Sequence, residues 1–286
     1  MIIDGKQVSE KVKNEIKSEI EKISSNGSIP CLAVVLVGNN KASEIYVRNK
    51  INACEYVGMK SKLIKLEESA TEVEIISEVN KLNKDKDVNG IIVQLPLPKH
   101  INESEVLESI DPNKDVDGCH YIQKGKLFIQ KNQLVPCTPL GVLRLLKEYQ
   151  IDLIGKNALV IGRSNLVGRP LAELLIQEDA TVTIAHSKTK NLSKIIKNYD
   201  IVCVAIGKPN FVKAKELNKN SVVIDVGINR DENNKLCGDV EKKAIDKVKC
   251  ITPVPGGVGP MTVAMLISNT LTAYKNHRST KWKVAR

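Results

Sequence analysis

Four side chains with different chemistry stand where a strand end, a turn or a helix can aim them at a ligand: Tyr46, Lys50, Gln94 and Asp117. Tyr46 and Lys50 are four residues apart, so on a helix they share a face, beside the apolar edge of Val47, Ile51 and Cys54. Taken alone, an aromatic ring beside a lysine is common helix decoration, with the lysine stem lying along apolar surface. Gln94 lies within the otherwise apolar run Gly90-Ile-Ile-Val-Gln-Leu95, and a buried amide must find partners. In an open parallel sheet the carboxyl ends of the strands line the ligand crevice, which would bring Gln94 beside Lys50. Asp117 belongs to Asp111-Pro-Asn-Lys-Asp-Val-Asp117-Gly118, an acidic turn with Asx bonding. A carboxylate fixed by such a turn also suits a bidentate hydrogen bond to an amidine-like ring edge.

A second constellation is Asn157-Ala-Leu-Val-Ile-Gly-Arg-Ser-Asn-Leu-Val-Gly-Arg-Pro170, which reads as a buried strand, a glycine turn and the first turn of a helix. Such a passage aims backbone N–H groups and the helix dipole at one point and favours a phosphate. The dinucleotide fingerprint is G-x-G-x-x-G, whereas here Ser164 takes the middle position between Gly162 and Gly168 and the spacing is longer; on the motif alone an ordinary strand-to-helix turn serves equally well. The next strand, Ala180-Thr-Val-Thr-Ile-Ala-His186, separates the two readings. At its end an NAD fold would carry Asp or Glu for the ribose hydroxyls, but His186, Ser187 and Lys188 stand there. With Arg163 they form a set of donors suited to a 2′-phosphate, so the sequence favours NADP over NAD. Solvated strand-end positions remain the alternative, chiefly for Lys188.

The elements that must position these residues alternate. The sequence predicts an amphipathic helix over residues 8–25 stopping near Asn26-Gly27, a strand Cys31–Val37, a helix from about Ala42 to Val57, a strand Ser61–Leu66, a helix from about Thr71 to Leu82 and a strand Gly90–Leu95. Thr138 suits an N-cap and Pro139 a first helical position. Strands follow at Ile201–Gly207, Ser221–Ile228 and Cys250–Val254, then the glycine-proline loop Pro255-Gly-Gly-Val-Gly-Pro260 and a helix from Met261 to Tyr274. The loop glycines, Gly257 among them, let backbone approach a ligand closely, with a mobile surface loop as the alternative. The tail His277–Arg286 is basic and expected to fray. Strands alternating with helices imply parallel sheets and an α/β fold, here in two units, one before residue 120 and one after 150.

A chain of 286 residues fits two domains. Its seven cysteines are odd in number and form no C-x-x-C pair, which points to a reduced, intracellular chain. No apolar run reaches membrane-spanning length and no leader is visible, so the expected location is cytoplasmic, with no membrane partner. A net charge of +10 can signal nucleic acid, but aromatics are only 3% and the lysines are spread over every helix, so a lysine-rich background without a nucleic-acid partner is preferred.

Six segments carry a resemblance. Tyr46-Val-Arg-Asn-Lys50, Val93-Gln-Leu-Pro-Leu-Pro98, Lys114-Asp-Val-Asp-Gly118, Pro136-Cys-Thr-Pro139, Gly162-Arg-Ser164 with Val167-Gly-Arg-Pro170, and Pro253-Val-Pro-Gly-Gly-Val-Gly-Pro-Met-Thr262 fall in one order. In that order the chain resembles the bifunctional methylenetetrahydrofolate dehydrogenase/methenyltetrahydrofolate cyclohydrolase family over essentially its whole length. The resemblance implies an α/β homodimer of two-domain subunits. Residues 1–139 would be the folate-binding catalytic domain, with the helix 261–286 packed back on it; residues 140–260 would be the Rossmann-like NADP-binding domain, and a cleft between the domains would hold the folate. It also implies that Tyr46 stacks on the aminobenzoyl part of the folate, that Lys50 is the catalytic lysine held by Gln94, and that Asp117 grips the pterin. Gly257 would lie against the substrate, and Gly162, Arg163, Ser164, Ser187 and Ile228 would contact NADP. No metal is expected. The competing readings are a dehydrogenase of another small substrate and a cofactor-binding protein without catalysis.

Overall fold

The run Cys31-Leu-Ala-Val-Val-Leu-Val37 has no polar side to offer water, and in the computed structural model it is a strand buried at all seven positions. The structure describes residues 1–24, 28–131 and 134–284. In chain order the elements are α1 (Gly5–Ser24), β1 (Cys31–Val37), α2 (Lys41–Val57), β2 (Lys60–Leu66), α3 (Glu72–Lys84), β3 (Gly90–Val93), α4 (Glu103–Glu108), α5 (Tyr121–Phe128) and α6 (Cys137–Glu148). They continue with β4 (Asn157–Ile161), α7 (Gly168–Gln177), β5 (Thr181–Ala185), α8 (Leu192–Ile195), β6 (Ile201–Val204), β7 (Val222–Asp225), the short pair β8 (Asn229–Arg230) and β9 (Leu236–Cys237), β10 (Cys250–Ile251) and α9 (Val258–Val284). The expected stop of α1 near Asn26-Gly27 lies outside the described residues. The chain divides into two compact units: Lys11–Cys137 with Val263–Arg286, and Met1–Glu10 with Thr138–Thr262.

The unit that carries Lys50 is built on a parallel sheet of order β2-β1-β3. Val35, Ile75, Val79 and Ile91 meet in its core. The sheet-facing helices begin at side-chain caps: Asn40 accepts from the Ala42 and Ser43 amides ahead of α2, and Thr71 with Glu74 forms a reciprocal capping box at α3. Strand β3 is shorter than the predicted Gly90–Leu95 because it leaves the ladder after Val93. The Gln94 N–H still donates to the Val35 carbonyl at 2.9 Å, and Pro96 and Pro98 then deny the ladder its donors. Two short helices, α4 and α5, were not predicted. They span six and eight residues, too few for periodicity to register, and α5 is capped by the His120 imidazole rather than by a Ser, Thr, Asn or Asp.

The other unit holds a five-stranded parallel sheet of order β10-β7-β6-β4-β5. The chain leaves β4 for β5 on one side and returns to β6 on the other, so the order reverses at β4. Ligands of open parallel sheets bind at such a switch point, outside the carboxyl ends of the strands. Its core gathers Leu159, Ile161, Val202, Val204 and Val223. Strands β6, β7 and β10 all stop short of their predicted ends, at Val204, Asp225 and Ile251, since the residues beyond turn out into end-of-strand loops. Helix α6 starts at Cys137, which puts Thr138 inside its first turn; instead of capping, its hydroxyl meets the Thr262 hydroxyl at 2.9 Å. Helix α9 begins at Val258 and continues through Val284, past the predicted end at Tyr274, so the basic segment expected to fray is helical as far as it is described.

Candidate active site

On α2 the buried positions are Ser43, Val47, Lys50, Ala53, Cys54 and Val57, and Lys50 therefore sits inside the apolar stripe. Its side chain is 9% exposed, and its ammonium donates to Gln94 Oε1 at 2.8 Å. The Gln94 amide in turn donates to the Leu95 carbonyl at 2.6 Å, which fixes which end of the amide faces the lysine. Burial lowers the Lys50 pKa from the ordinary 10.5, with the nearby Asp117 carboxylate opposing that shift. Tyr46, one turn earlier, is 45% exposed and presents a ring to solvent.

Asp117 is half-buried at the end of a strongly anchored loop. The Lys114 ammonium caps the carboxyl end of α3 through the carbonyls of Leu82, Asn83 and Asp85 at 3.0, 2.8 and 2.7 Å. Asp115 is fully buried and accepts from the His120 N–H at 2.8 Å, and burial pushes its carboxyl up to about 6. Asn269 on α9 ties the Val116 and Val135 carbonyls together, both at 2.8 Å. The thiols of Cys119 and Cys137 lie by Asp117, the former 3.6 Å from its Oδ2, and burial followed by the Asp117 charge drives both thiol pKa values well upward. They are neutral neighbours rather than nucleophiles. Lys50, Gln94 and Asp117 thus form one cluster, a desolvated lysine held by an amide with a carboxylate nearby.

In the other unit the turn after β4 brings backbone close upon backbone. Gly162 has φ +130° and a side chain there would strike the Ala205 carbonyl; one at Gly168 would strike the Gly162 carbonyl. The Ser164 hydroxyl accepts from the N–H groups of Val167 and Gly168 at 3.2 and 3.3 Å, standing in for the missing cap of α7. Arg163 and Ser164 are exposed. The turn after β5 contains no acidic residue: the His186 N–H donates to Thr189 Oγ1, the Lys188 N–H to His186 Nδ1, and Ser187 lies exposed between them. Ile228 is 48% exposed just beyond β7, and its side chain lies against Gly259. Gly257 is buried against Thr252 and Pro253, which leaves it no room for a side chain.

Residues 3–117 match the tetrahydrofolate dehydrogenase/cyclohydrolase catalytic domain, and residues 136–278 match the NAD(P)-binding domain of the same proteins. The chain belongs to the tetrahydrofolate dehydrogenase/cyclohydrolase family. Its relatives include the bifunctional protein FolD of Campylobacter hominis, 54% identical over 96% of this chain and 97% of that protein. Among solved structures, the bifunctional methylenetetrahydrofolate dehydrogenase/cyclohydrolase of Campylobacter jejuni superposes with a TM-score of 0.95 at 48% identity, covering 97% of this chain and 99% of that one. The Trypanosoma brucei enzyme of the same family, solved with NADP and an inhibitor, gives 0.93 at 36% identity, covering 97% and 98%.

The residues present fit a dinucleotide cofactor on grounds visible in this chain: side chains at Gly162 and Gly168 would fill the turn, and cationic and hydroxyl groups stand where an NAD fold keeps a carboxylate. Sequence reasoning passed over Lys114, Asp115 and Asn269 as builders of the Asp117 loop. The signal for the first two was present in the motif Lys114-Asp-Val-Asp-Gly118, where three charged residues surround a single buried valine. Asn269 lay inside an apolar helix, where a polar residue is the mark of a buried network.

Proposed function

We propose that this protein oxidises 5,10-methylenetetrahydrofolate to 5,10-methenyltetrahydrofolate with NADP and hydrolyses the product to 10-formyltetrahydrofolate. The observation that carries this reading is the Lys50–Gln94 pair, a desolvated ammonium with a single hydrogen-bond partner among the described residues. NADP, when bound, supplies the hydride acceptor. The first step then asks the chain chiefly to hold planar groups in place, Tyr46 against the aminobenzoyl ring and Asp117 on the pterin edge. In the second step water adds to the methenyl carbon and must lose a proton. Lys50, whose neutral form is favoured by burial, and further by the cationic substrate, takes or relays that proton while Gln94 orients it without adding charge.

The folate is assigned to residues 1–139 with the C-terminal helix, Gly257 adding backbone contact, and NADP to residues 140–260 through Gly162, Arg163, Ser164, Ser187 and Ile228. The protein works as a cytoplasmic homodimer. Supporting the dimer, β5 ends its sheet with one edge unpaired among the described residues, and Ile184 on it is 40% exposed. Supporting the location, all seven cysteines are free, and no described helix is long and apolar enough to cross a membrane. The test is an assay of the purified protein for NADP and NAD reduction with methylenetetrahydrofolate, side by side with methenyltetrahydrofolate hydrolysis. NADP reduction above NAD reduction, together with hydrolysis, is expected; absence of both activities would refute the reading.

A further inference from the structure

Two carboxylates lie buried at the carboxyl ends of β6, β7 and β10, outside every role assigned so far. Asp239 is completely buried and accepts four hydrogen bonds: Oδ2 from the Ile206 and Gly207 N–H groups at 2.7 and 3.1 Å, Oδ1 from the Lys208 N–H at 2.7 Å and the Asn229 side-chain amide at 2.8 Å. Asp225, 4% exposed, accepts three: Oδ1 from Gly227 and Asp239 N–H at 3.1 and 2.9 Å, Oδ2 from Val240 N–H at 2.9 Å. Its own N–H donates to Thr252 Oγ1 at 2.8 Å, which brings in the end of β10. The backbone passes so close that a side chain at Gly227 would strike the Asp239 carboxylate and one at Gly238 the Asp225 carboxylate. All these donors are amides, so the pair organises backbone rather than neutralising a cation.

The loops gathered in this way are the ones that leave β6 and β7 at the sheet's ligand-binding end, and Ile228 stands between Gly227 and Asn229. We propose that Asp239, backed by Asp225, is a positioning residue for the nicotinamide dinucleotide, holding the 206–208 turn and the segment carrying Ile228 in the conformation that receives it. This rests on the assignment of NADP to the unit built on β4–β7.

Substitution by asparagine separates the two carboxylates. Each Asp239 oxygen faces two N–H donors, so in Asp239→Asn either orientation of the new side-chain amide sets its NH2 against two of them. At Asp225 the amide oxygen can take the doubly used position, leaving only Val240 opposed. Asp239→Asn is therefore expected to weaken NADP binding, measured by calorimetry, about tenfold or more, and Asp225→Asn only about threefold or less. Cyclohydrolase turnover of methenyltetrahydrofolate without cofactor, and its KM, should stay within about twofold in both, since no part of the Lys50 cluster is touched. Wild-type NADP affinity in a folded Asp239→Asn protein would overturn the proposal, as would parallel loss of cyclohydrolase and NADP binding. If Asp239→Asn does not fold, Asn229→Ala, which removes one donor only, should weaken NADP about threefold with cyclohydrolase intact; unchanged affinity there overturns the proposal too. A wild-type protein that binds no NADP would instead refute the cofactor assignment itself.

Discussion

The ammonium of Lys50 and the carboxylate of Asp239 are both withdrawn from water, yet among the described residues the first has one hydrogen-bond partner and the second has four. A buried charge met by a full set of dipoles is a fixed post around which backbone is hung. One met by a single amide is held loosely in its charged form, and its proton can be moved. Under the proposed function, the same physics would yield a scaffold in one unit and a proton-transfer group in the other. What differs is the number of partners the surrounding loops provide. Asp117 falls between these extremes: it is half-buried, and the loop beneath it is anchored by Lys114 on α3 and by Asn269 on α9.

The contrast breaks most visibly at Lys50. Lys50→Met is expected to reduce methenyltetrahydrofolate hydrolysis by about a thousandfold, within the range of a lost general acid–base group, while NADP reduction remains measurable. Equal loss of both would deny the lysine its separate role. Because the native state binds this lysine's proton less tightly than the unfolded chain does, the charged form costs stability at neutral pH, so the same variant should melt no lower than wild type at pH 7.

Asp225 sharpens the scaffold side through pH. Burial pushes its carboxyl from 3.8 up to about 7, so between those values the native state holds a proton that the unfolded chain has released, and stability contributed by this group falls as pH rises. At 1.36 kcal/mol per unit the span is at most about 4 kcal/mol. Chemical unfolding from pH 4 to 7 should therefore show the stability of Asp225→Asn gaining on that of wild type as pH rises; a difference that does not change with pH would deny this group a shifted titration.

Smaller effects probe the middle ground. Asp117→Ala should raise KM for the folate about tenfold, the value of one or two hydrogen bonds to a charged group, with NADP affinity unchanged. An unaltered folate KM would remove the carboxylate from the pterin edge. Gln94→Glu places a negative charge against the ammonium and should move the pH–rate limb of hydrolysis upward by about one unit, whereas an unshifted limb would mean that the amide does not govern the lysine.

Much of this was legible beforehand, because the repeating apolar runs dictate buried parallel strands and the glycine turn dictates a strand-to-helix passage. Lys50 was legible as a candidate, and its place within the stripe of Val47, Cys54 and Val57 is the feature that explains its burial. The Asp225–Asp239 pair was hidden for a physical reason. Its partners are backbone N–H groups at residues 206–208, 227 and 239–240, and backbone donors carry no side-chain signature in a sequence. The short helices α4 and α5 escaped likewise, being held by local caps rather than by a periodic face.

The proton-transfer role proposed for Lys50 requires that burial outweigh the opposing pull of the Asp117 carboxylate on an ammonium met by one amide. Titration of the Lys50 side chain by NMR, with lysines labelled at the ε-carbon and the resonance assigned by its loss in Lys50→Arg, tests it directly. A midpoint below the ordinary 10.5 is expected; a midpoint at or above that value would mean that Lys50 stays a full cation and cannot take the proton.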